Sequence, residues 1–184
     1  MKRRLFLQFP LVASALITSP AIQQNGRAKK GIKVDAGKDR FLEELLIMGG
    51  RFDCKVSGKD SNGDLCIYDT VRMDKGGPAL HLHHNQDEWF YIISGEFLVR
   101  VGEDLFTMKA GDTAFAPRKI PHAFAKTSEG PGQLLILFQP AGSMEDYFLQ
   151  VSKIGSDIPQ NQEKALKELI ISHGMELVGP PLKF

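Results

Sequence analysis

Short runs of alternating apolar and polar residues follow one another through most of this chain, and they end in glycine, proline or small polar residues. Alternation with a period of two predicts β-strands, because successive side chains of a strand point to opposite faces. The predicted strands cover residues 41–48, 51–56, 65–73, 88–93, 96–101, 105–108, 113–116, 122–126 and 133–139. Many short strands joined by regular turns predict an all-β sandwich or barrel.

The pattern changes to helical spacing after the last predicted strand. A helix is predicted at residues 144–151, with Ser143 as its N-cap and Asp146 completing a capping box. A second helix is predicted at residues 161–174, and an extended apolar tail follows at residues 175–182. We expect these helices to cover the barrel or a dimer surface rather than to form a lid over a site.

Residues 1–21 read as an export signal. A basic start precedes an apolar run from Leu5 to Ile17, and small residues follow at positions 19–21. The segment Arg3–Gln8 resembles the twin-arginine signal of bacterial folded-protein export, so we expect a periplasmic or secreted protein. The apolar run is too short to span a bilayer, and no stable membrane insertion is expected after the signal is removed. The alternative is an N-terminal arm of the mature protein.

The charge balance of the chain argues against nucleic acid as a partner. The 184 residues carry a formal net charge of +1, and residues 1–21 hold three cations and no acid, which leaves −2 for the rest. Such a body offers no basic stripe that would neutralise phosphates. The length suits one domain. We divide the chain into the export signal (1–21), a polar linker (22–30), the β-barrel (31–142) and the C-terminal helices with the tail (143–184).

Two cysteines, Cys54 and Cys66, flank a polar turn cluster at residues 57–64. In a hairpin symmetric about Asp60 they would face each other, and an oxidising compartment would then allow a cross-strand disulfide. Hairpin geometry often strains such a bond, and a free cysteine is commonly buried as a small hydrophobe. Two buried free thiols are therefore the favoured interpretation, with the disulfide as the alternative.

Four of the five histidines lie within residues 76–126. If residues 79–83 form a strand, His81 and His83 share one face and lie about 6–7 Å apart at Cα. His84 then points to the opposite face. A pair of imidazoles on one face of a strand indicates a metal site.

Glu88 and His122 complete a four-ligand set. A polar turn at residues 85–87 would bring Glu88 back beside the histidine pair, and His122 would open a later strand after two prolines. Three imidazoles and one carboxylate suit one divalent transition metal, namely Fe, Mn, Ni, Cu, Co or Zn, and the ligand types alone do not choose among them.

The spacing of these residues resembles the two sequence motifs of the cupin superfamily. The first motif is matched by His81-Leu82-His83, four residues, Glu88, six residues and Gly95. The second motif is matched by Gly111, five residues, Pro117, four residues and His122. The agreement of ligand identities, spacings and turn glycines makes the resemblance specific.

Two positions depart from the family pattern. Lys119 occupies the place of the usual glycine of the second motif, and Lys126 that of its usual asparagine. Neither position is a metal ligand in the family, so the ligand assignment is unaffected. The resemblance implies a double-stranded β-helix, the cupin jelly roll, in a small single-domain protein that is similar to quercetin dioxygenase-like cupins and forms a homodimer.

The same strand alternation predicts a substrate pocket around the metal. Its lining is predicted to be Phe90, Ile92, Phe124 and Phe138, and the alternative for each phenylalanine is plain core packing. The resemblance favours a dioxygenase that acts on a phenolic or enol-type small molecule, with Glu88 as the catalytic base. The alternatives are a non-redox cupin isomerase or lyase, and a cupin that binds a small molecule without catalysis.

Overall fold

The computed structural model describes residues 26–154 and 163–184, so the predicted export signal lies outside the described residues. The strands are β1 (Leu45–Ile47), β2 (Gly50–Val56), β3 (Cys66–Arg72), β4 (Ala79–His83), β5 (Asp87–Ser94), β6 (Glu96–Val101), β7 (Asp104–Lys109), β8 (Thr113–Ala116), β9 (His122–Lys126), β10 (Gly132–Gln139) and β11 (Met175–Pro181). The helices are α1 (Gly58–Ser61), α2 (Met144–Ser152) and α3 (Glu163–Ser172).

The described strands form two antiparallel sheets. One sheet has the order β1-β2-β3-β10-β5-β8, and the other has the order β11-β4-β9-β6-β7. From β3 to β11 the chain crosses from one sheet to the other at every connection except the one between β6 and β7. This winding is that of a jelly roll. The predicted all-β fold, a double-stranded β-helix with short C-terminal helices, is confirmed.

Alternate residues of the strands fill the space between the two sheets. On β10, Leu134, Ile136 and Phe138 are at most 2% exposed, and each contributes roughly 1.5–3 kcal/mol relative to an exposed side chain. On β5 the equivalent inward row is Glu88, Phe90 and Ile92. A carboxylate therefore heads a row of apolar core side chains.

The first strand is shorter than the predicted strand at residues 41–48. The carboxylate of Asp39 accepts hydrogen bonds from the backbone amides of Phe41, at 2.6 Å, and of Glu43, at 3.3 Å. These bonds hold the chain in a turn, as aspartate side chains commonly do. Only Leu45–Ile47 remains free to pair with β2.

The predicted turn between the cysteines contains α1, which is closed by a capping box between Ser57 and Asp60. A register shift after Cys54 then places that residue opposite Tyr68 instead of Cys66. Both cysteines are buried and free, as the favoured interpretation held. The symmetric hairpin was the wrong geometry because one helical turn and a bulge displace the register.

Helix α2 joins the six-stranded sheet through aromatic side chains. The ring of Phe148 lies 4.7 Å from that of Tyr68, 5.2 Å from that of Phe52 and 5.8 Å from that of Phe138. The helix begins at Met144 as predicted, but the side chain of Ser143 makes no capping hydrogen bond. Burial of the aromatic face, rather than the cap, positions this helix.

The predicted C-terminal tail is a strand of the barrel. β11 pairs with β4, and this pairing sets Met175 opposite His83 and Leu177 opposite His81. The chain end thus lies beside the strand that carries two of the predicted ligands. In the described ranges, no helix is long and apolar enough to cross a membrane.

Candidate metal centre

Strand β4 presents His81 and His83 on one face, with ring centroids 5.2 Å apart. Because β4 lies between β11 and β9, its backbone is held on both sides. His81 is paired directly with His122 of β9, and their ring centroids are 4.7 Å apart. Cross-strand pairing therefore brings the third imidazole beside the first two.

Glu88 reaches the histidines from the opposite sheet. The short connection after His83 carries the chain from β4 in one sheet to β5 in the other. On β5, Glu88 lies between Phe138 of β10 and Ala116 of β8, and it is 3% exposed. The crossing between sheets explains how a residue of odd spacing from His83 faces the same interior.

His122 is the first residue of β9 and follows a turn in which a lysine has a left-handed backbone conformation. Lys119 has φ of +67°, a conformation that costs a non-glycine residue roughly 1–2 kcal/mol. Its backbone amide donates a 2.7 Å hydrogen bond to the carbonyl of His83, which ties this turn to the end of β4. The motif glycines Gly95 and Gly111 also have positive φ, +82° and +92°. The lysine thus adopts the backbone shape for which the family uses glycine.

The four predicted ligands converge. Each offers one ligand atom, and these atoms lie within 4.8 Å of one another. Glu88 Oε2 is 2.8 Å from His122 Nε2, 3.1 Å from His83 Nε2 and 3.9 Å from His81 Nε2. His81 is partly buried and the other three are buried. Imidazole nitrogens and a carboxylate oxygen at such distances are the donor set of a first-row transition metal.

The hydrogen bonds of the imidazoles fit metal binding through Nε2. His81 Nδ1 lies 2.9 Å from the carbonyl of Ala79, and His122 Nδ1 lies 2.8 Å from that of Ile120. A carbonyl can only accept, so Nδ1 carries the proton and Nε2 of the neutral ring keeps its lone pair. In His83 both ring nitrogens are buried without a hydrogen-bond partner, and Nε2 faces the carboxylate without hydrogen-bond alignment. A metal ion at the common centre would satisfy that nitrogen.

The charges within the cluster shift its pKa values. The pKa of His81 is lowered to about 4, first by burial and then by the neighbouring His122. Burial acts to raise the pKa of Glu88, but the hydrogen bond and the charge of His122 outweigh it and hold the pKa below its usual range. At His122, burial acts to lower the pKa, but the hydrogen bond and the charge of Glu88 outweigh burial and raise it. His81 and Glu88 are therefore unprotonated at neutral pH, as ligands must be.

An apolar cavity of about 170 Å³ lies beside the cluster. His81, His83 and Glu88 form part of its wall, and Phe148 of α2 and Ile170 of α3 form another part. The two C-terminal helices therefore form part of the cavity wall, in addition to covering the barrel.

The predicted pocket residues divide into two groups. Phe124 and Phe138 line the cavity. Phe90 and Ile92 do not, because they lie further along β5 in the packed centre between the sheets, where both are 0% exposed. The ring of Phe90 packs 6.2 Å from that of His122 and 5.9 Å from that of Phe124. Strand alternation predicted the correct face for these residues but not their depth.

One cavity residue, Arg72, was not predicted from the sequence. The predicted strand at residues 65–73 carried the signal, since Arg72 has the same parity as Tyr68 and Thr70 and must share their inward face. The residues of α2, α3 and β11 in the cavity wall carried no such signal, because only the fold places them there.

Fold and site together define a small jelly-roll protein with a histidine-and-carboxylate centre. Residues 69–138 match the family model described as the cupin domain. This part of the chain is a cupin domain, which confirms the superfamily that the two motifs indicated.

The comparison with curated proteins gives one relative, an uncharacterized protein of Methanocaldococcus jannaschii. It is 34% identical over 67 residues, which are 36% of this chain and 54% of that protein. The chain thus spans about half the length of this relative.

Several solved structures are similar to part of the chain. An RmlC-like cupin from Shewanella frigidimarina is 27% identical, with 53% of this chain and 82% of that protein covered and a TM-score of 0.45. KdgF from Halomonas sp. is 18% identical, with 58% and 95% covered and a TM-score of 0.49. A predicted oxalate decarboxylase from Thermotoga maritima is 19% identical, with 53% and 90% covered and a TM-score of 0.49.

Proposed function

We propose that this protein is a metal-dependent cupin enzyme, a dioxygenase that acts on a phenolic or enol-type small molecule. The observation that carries the proposal is the convergence of His81, His83, Glu88 and His122 at the wall of an apolar cavity. A bound Fe, Mn, Ni, Cu or Co ion would supply Lewis acidity and a path for electrons between the substrate and O2.

The residues of the chain would bind and deprotonate the substrate. Phe124 and Phe138 offer an apolar wall for a flat organic molecule. Glu88 is ionised at neutral pH, which is the form that ligates a metal or accepts a proton from a substrate hydroxyl group. Because its pKa is lowered, Glu88 is a weak base, and a relatively acidic hydroxyl group such as that of an enol or phenol suits it best.

Oxygen uptake tests this proposal. The metal content of protein purified from its own host is determined by elemental analysis, and metal-free protein is then reloaded with Fe, Mn, Co, Ni or Cu. We expect O2 consumption with a catechol, an enol or a flavonol for at least one metal, and its loss in His83→Ala. The control is His84→Ala, because that neighbouring imidazole is 48% exposed and lies outside the cluster. No uptake with any of these metals and substrates would rule out the dioxygenase.

A second candidate is a non-redox isomerase or lyase, or a protein that only binds a small molecule. Among the described residues that line the cavity, Glu88 is the one carboxylic acid. The lack of a second carboxyl group there for acid–base chemistry favours the binding protein over the non-redox enzyme. A native protein that contains zinc alone and turns over without oxygen would select the non-redox enzyme. Tight ligand retention without product under any metal would select the binding protein.

We also propose export to the periplasm and assembly as a homodimer. Export rests on the basic and apolar pattern of residues 1–21, and the dimer rests on the cupin resemblance. The intact mass of the protein from a periplasmic fraction should correspond to a start near Ile22, and light scattering should give twice the chain mass. Retention of Met1 in the mature protein, or a monomer in solution, would contradict the respective proposal.

A further inference from the structure

The barrel interior contains a buried arginine next to the cavity. On β3 the inward row is Tyr68, Thr70 and Arg72, which are 2%, 0% and 4% exposed. Arg72 also lines the cavity whose wall includes His81 and Glu88. A full positive charge is thus placed in the wall of the space that the proposed substrate would occupy.

The guanidinium of Arg72 is only partly satisfied by the protein. A terminal nitrogen donates a 2.6 Å hydrogen bond to the carbonyl of Met48, whereas Nε is buried without a hydrogen-bond partner. The carbon at the centre of the guanidinium lies 5.9 Å from the ring centroid of Phe124. The acid that acts on the pKa of Arg72 is Asp74, which is exposed and therefore screened by solvent, and burial outweighs it and lowers that pKa.

A buried charge without a close counter-charge is costly to the folded protein. A guanidinium has five N–H donors in a planar fork, and a carboxylate matches that fork with two parallel hydrogen bonds. Arg72 therefore has the chemistry of a binding group for a carboxylate that enters the cavity.

The size of the cavity limits what such a ligand can be. Its volume is about 170 Å³, and an engineered apolar cavity of about 150 Å³ in another protein holds benzene. The space within its walls thus suits a single ring or a chain of similar bulk. A flavonol has three rings and would extend beyond the cavity walls.

We propose that the cavity binds a carboxylic acid of single-ring size, whose carboxylate pairs with Arg72 and whose apolar body lies against Phe124 and Phe138. This inference rests on the proposed function, because it takes that acid to be the substrate of the same site. The end of the ligand opposite the carboxylate would then contact His81 and Glu88. The substrate class narrows to small aromatic or enolic acids.

Benzoate and its neutral isostere benzamide test the inference by isothermal titration calorimetry. Both are titrated into metal-free and zinc-loaded protein, for the wild type, Arg72→Met and Arg100→Met. Arg100 is the matched control because its side chain is 36% exposed and lies on β6, outside this cavity. We expect the wild type and Arg100→Met to bind benzoate at least tenfold more tightly than benzamide in the metal-free state, and Arg72→Met to lose this preference.

Three outcomes would overturn the inference. In the first, the metal-free wild type shows no preference for benzoate. In the second, the preference appears only with zinc and persists in Arg72→Met, because the carboxylate then ligates the metal. In the third, metal-free Arg72→Met keeps the preference for benzoate, because the carboxylate then does not pair with Arg72. The wild-type titrations decide the first point even if Arg72→Met does not fold. Zinc content, measured separately, reports on the metal site, so a failed metal centre and a failed carboxylate site are distinguishable.

Discussion

Replacement of Glu88 by glutamine removes the charge of the centre and keeps its shape. Glu88 is 3% exposed and lies 2.8 Å from Nε2 of His122. In the metal-free variant the glutamine amide can donate to Nε2 of a neutral His122, so a neutral hydrogen bond replaces a charged one and the desolvation cost of the carboxylate disappears. We therefore expect the metal-free free energy of unfolding to change by less than about 1 kcal/mol.

The response to metal should differ strongly between the two proteins. A metal at a hundredfold excess over its Kd stabilises the folded wild type by about 2.7 kcal/mol, which corresponds to a rise in Tm of roughly 5–11 °C for a chain of this length. An amide is a weak ligand, and a hundredfold loss of affinity at the same metal concentration reduces the stabilisation to about 0.4 kcal/mol. The rise in Tm should then be roughly 1–2 °C.

Scanning calorimetry with and without Mn, Ni or Zn measures these shifts. Glu103→Gln is the control, because that glutamate side chain is 98% exposed, and it should respond to metal as the wild type does. The reasoning is refuted if no divalent ion raises the Tm of the wild type, or if Glu88→Gln gains as much as the wild type.

Three further predictions concern packing, backbone and thiols. Phe148→Ala should lower the free energy of unfolding by about 3–5 kcal/mol, because the ring packs on three other aromatic rings of the core. Urea titrations measure this loss, and a loss below about 1 kcal/mol would contradict the prediction. Lys119→Gly should stabilise the protein by about 0.5–1 kcal/mol, because glycine relieves the left-handed strain but adds disorder to the unfolded chain; destabilisation in the same titration would contradict it. Burial raises the pKa of both cysteines, that of Cys54 to about 12, so neither thiol should react with a disulfide reagent at pH 8 unless the protein is unfolded. The folded chain holds these thiol protons more tightly than the unfolded chain, so stability should decrease as pH rises above about 8.5, and Cys54→Ala with Cys66→Ala should weaken that decrease.

The candidate site was predictable because local rules govern its parts. Two-residue periodicity places His81 and His83 on one face of any strand, and the motif spacing then points to Glu88 and His122. The distance of 2.8 Å between the last two depends on two facing sheets, which no local pattern contains. The position of Phe90 shows the same limit, because periodicity determines which face a residue occupies but not whether that face borders a cavity or solid core.

The amino-acid sequence by itself determined the strand pattern, the all-β class and the identity of the four candidate ligands, because these follow from interactions between residues close in the chain and from the chemistry of the side chains. Only the tertiary structure decided that β11 flanks β4, that α2 and α3 line the cavity and that Arg72 is buried in its wall. These contacts join segments that are distant in the chain. They form only when the two sheets pack and bury their apolar faces, so their effect on charge, volume and access to the site arises with the complete fold.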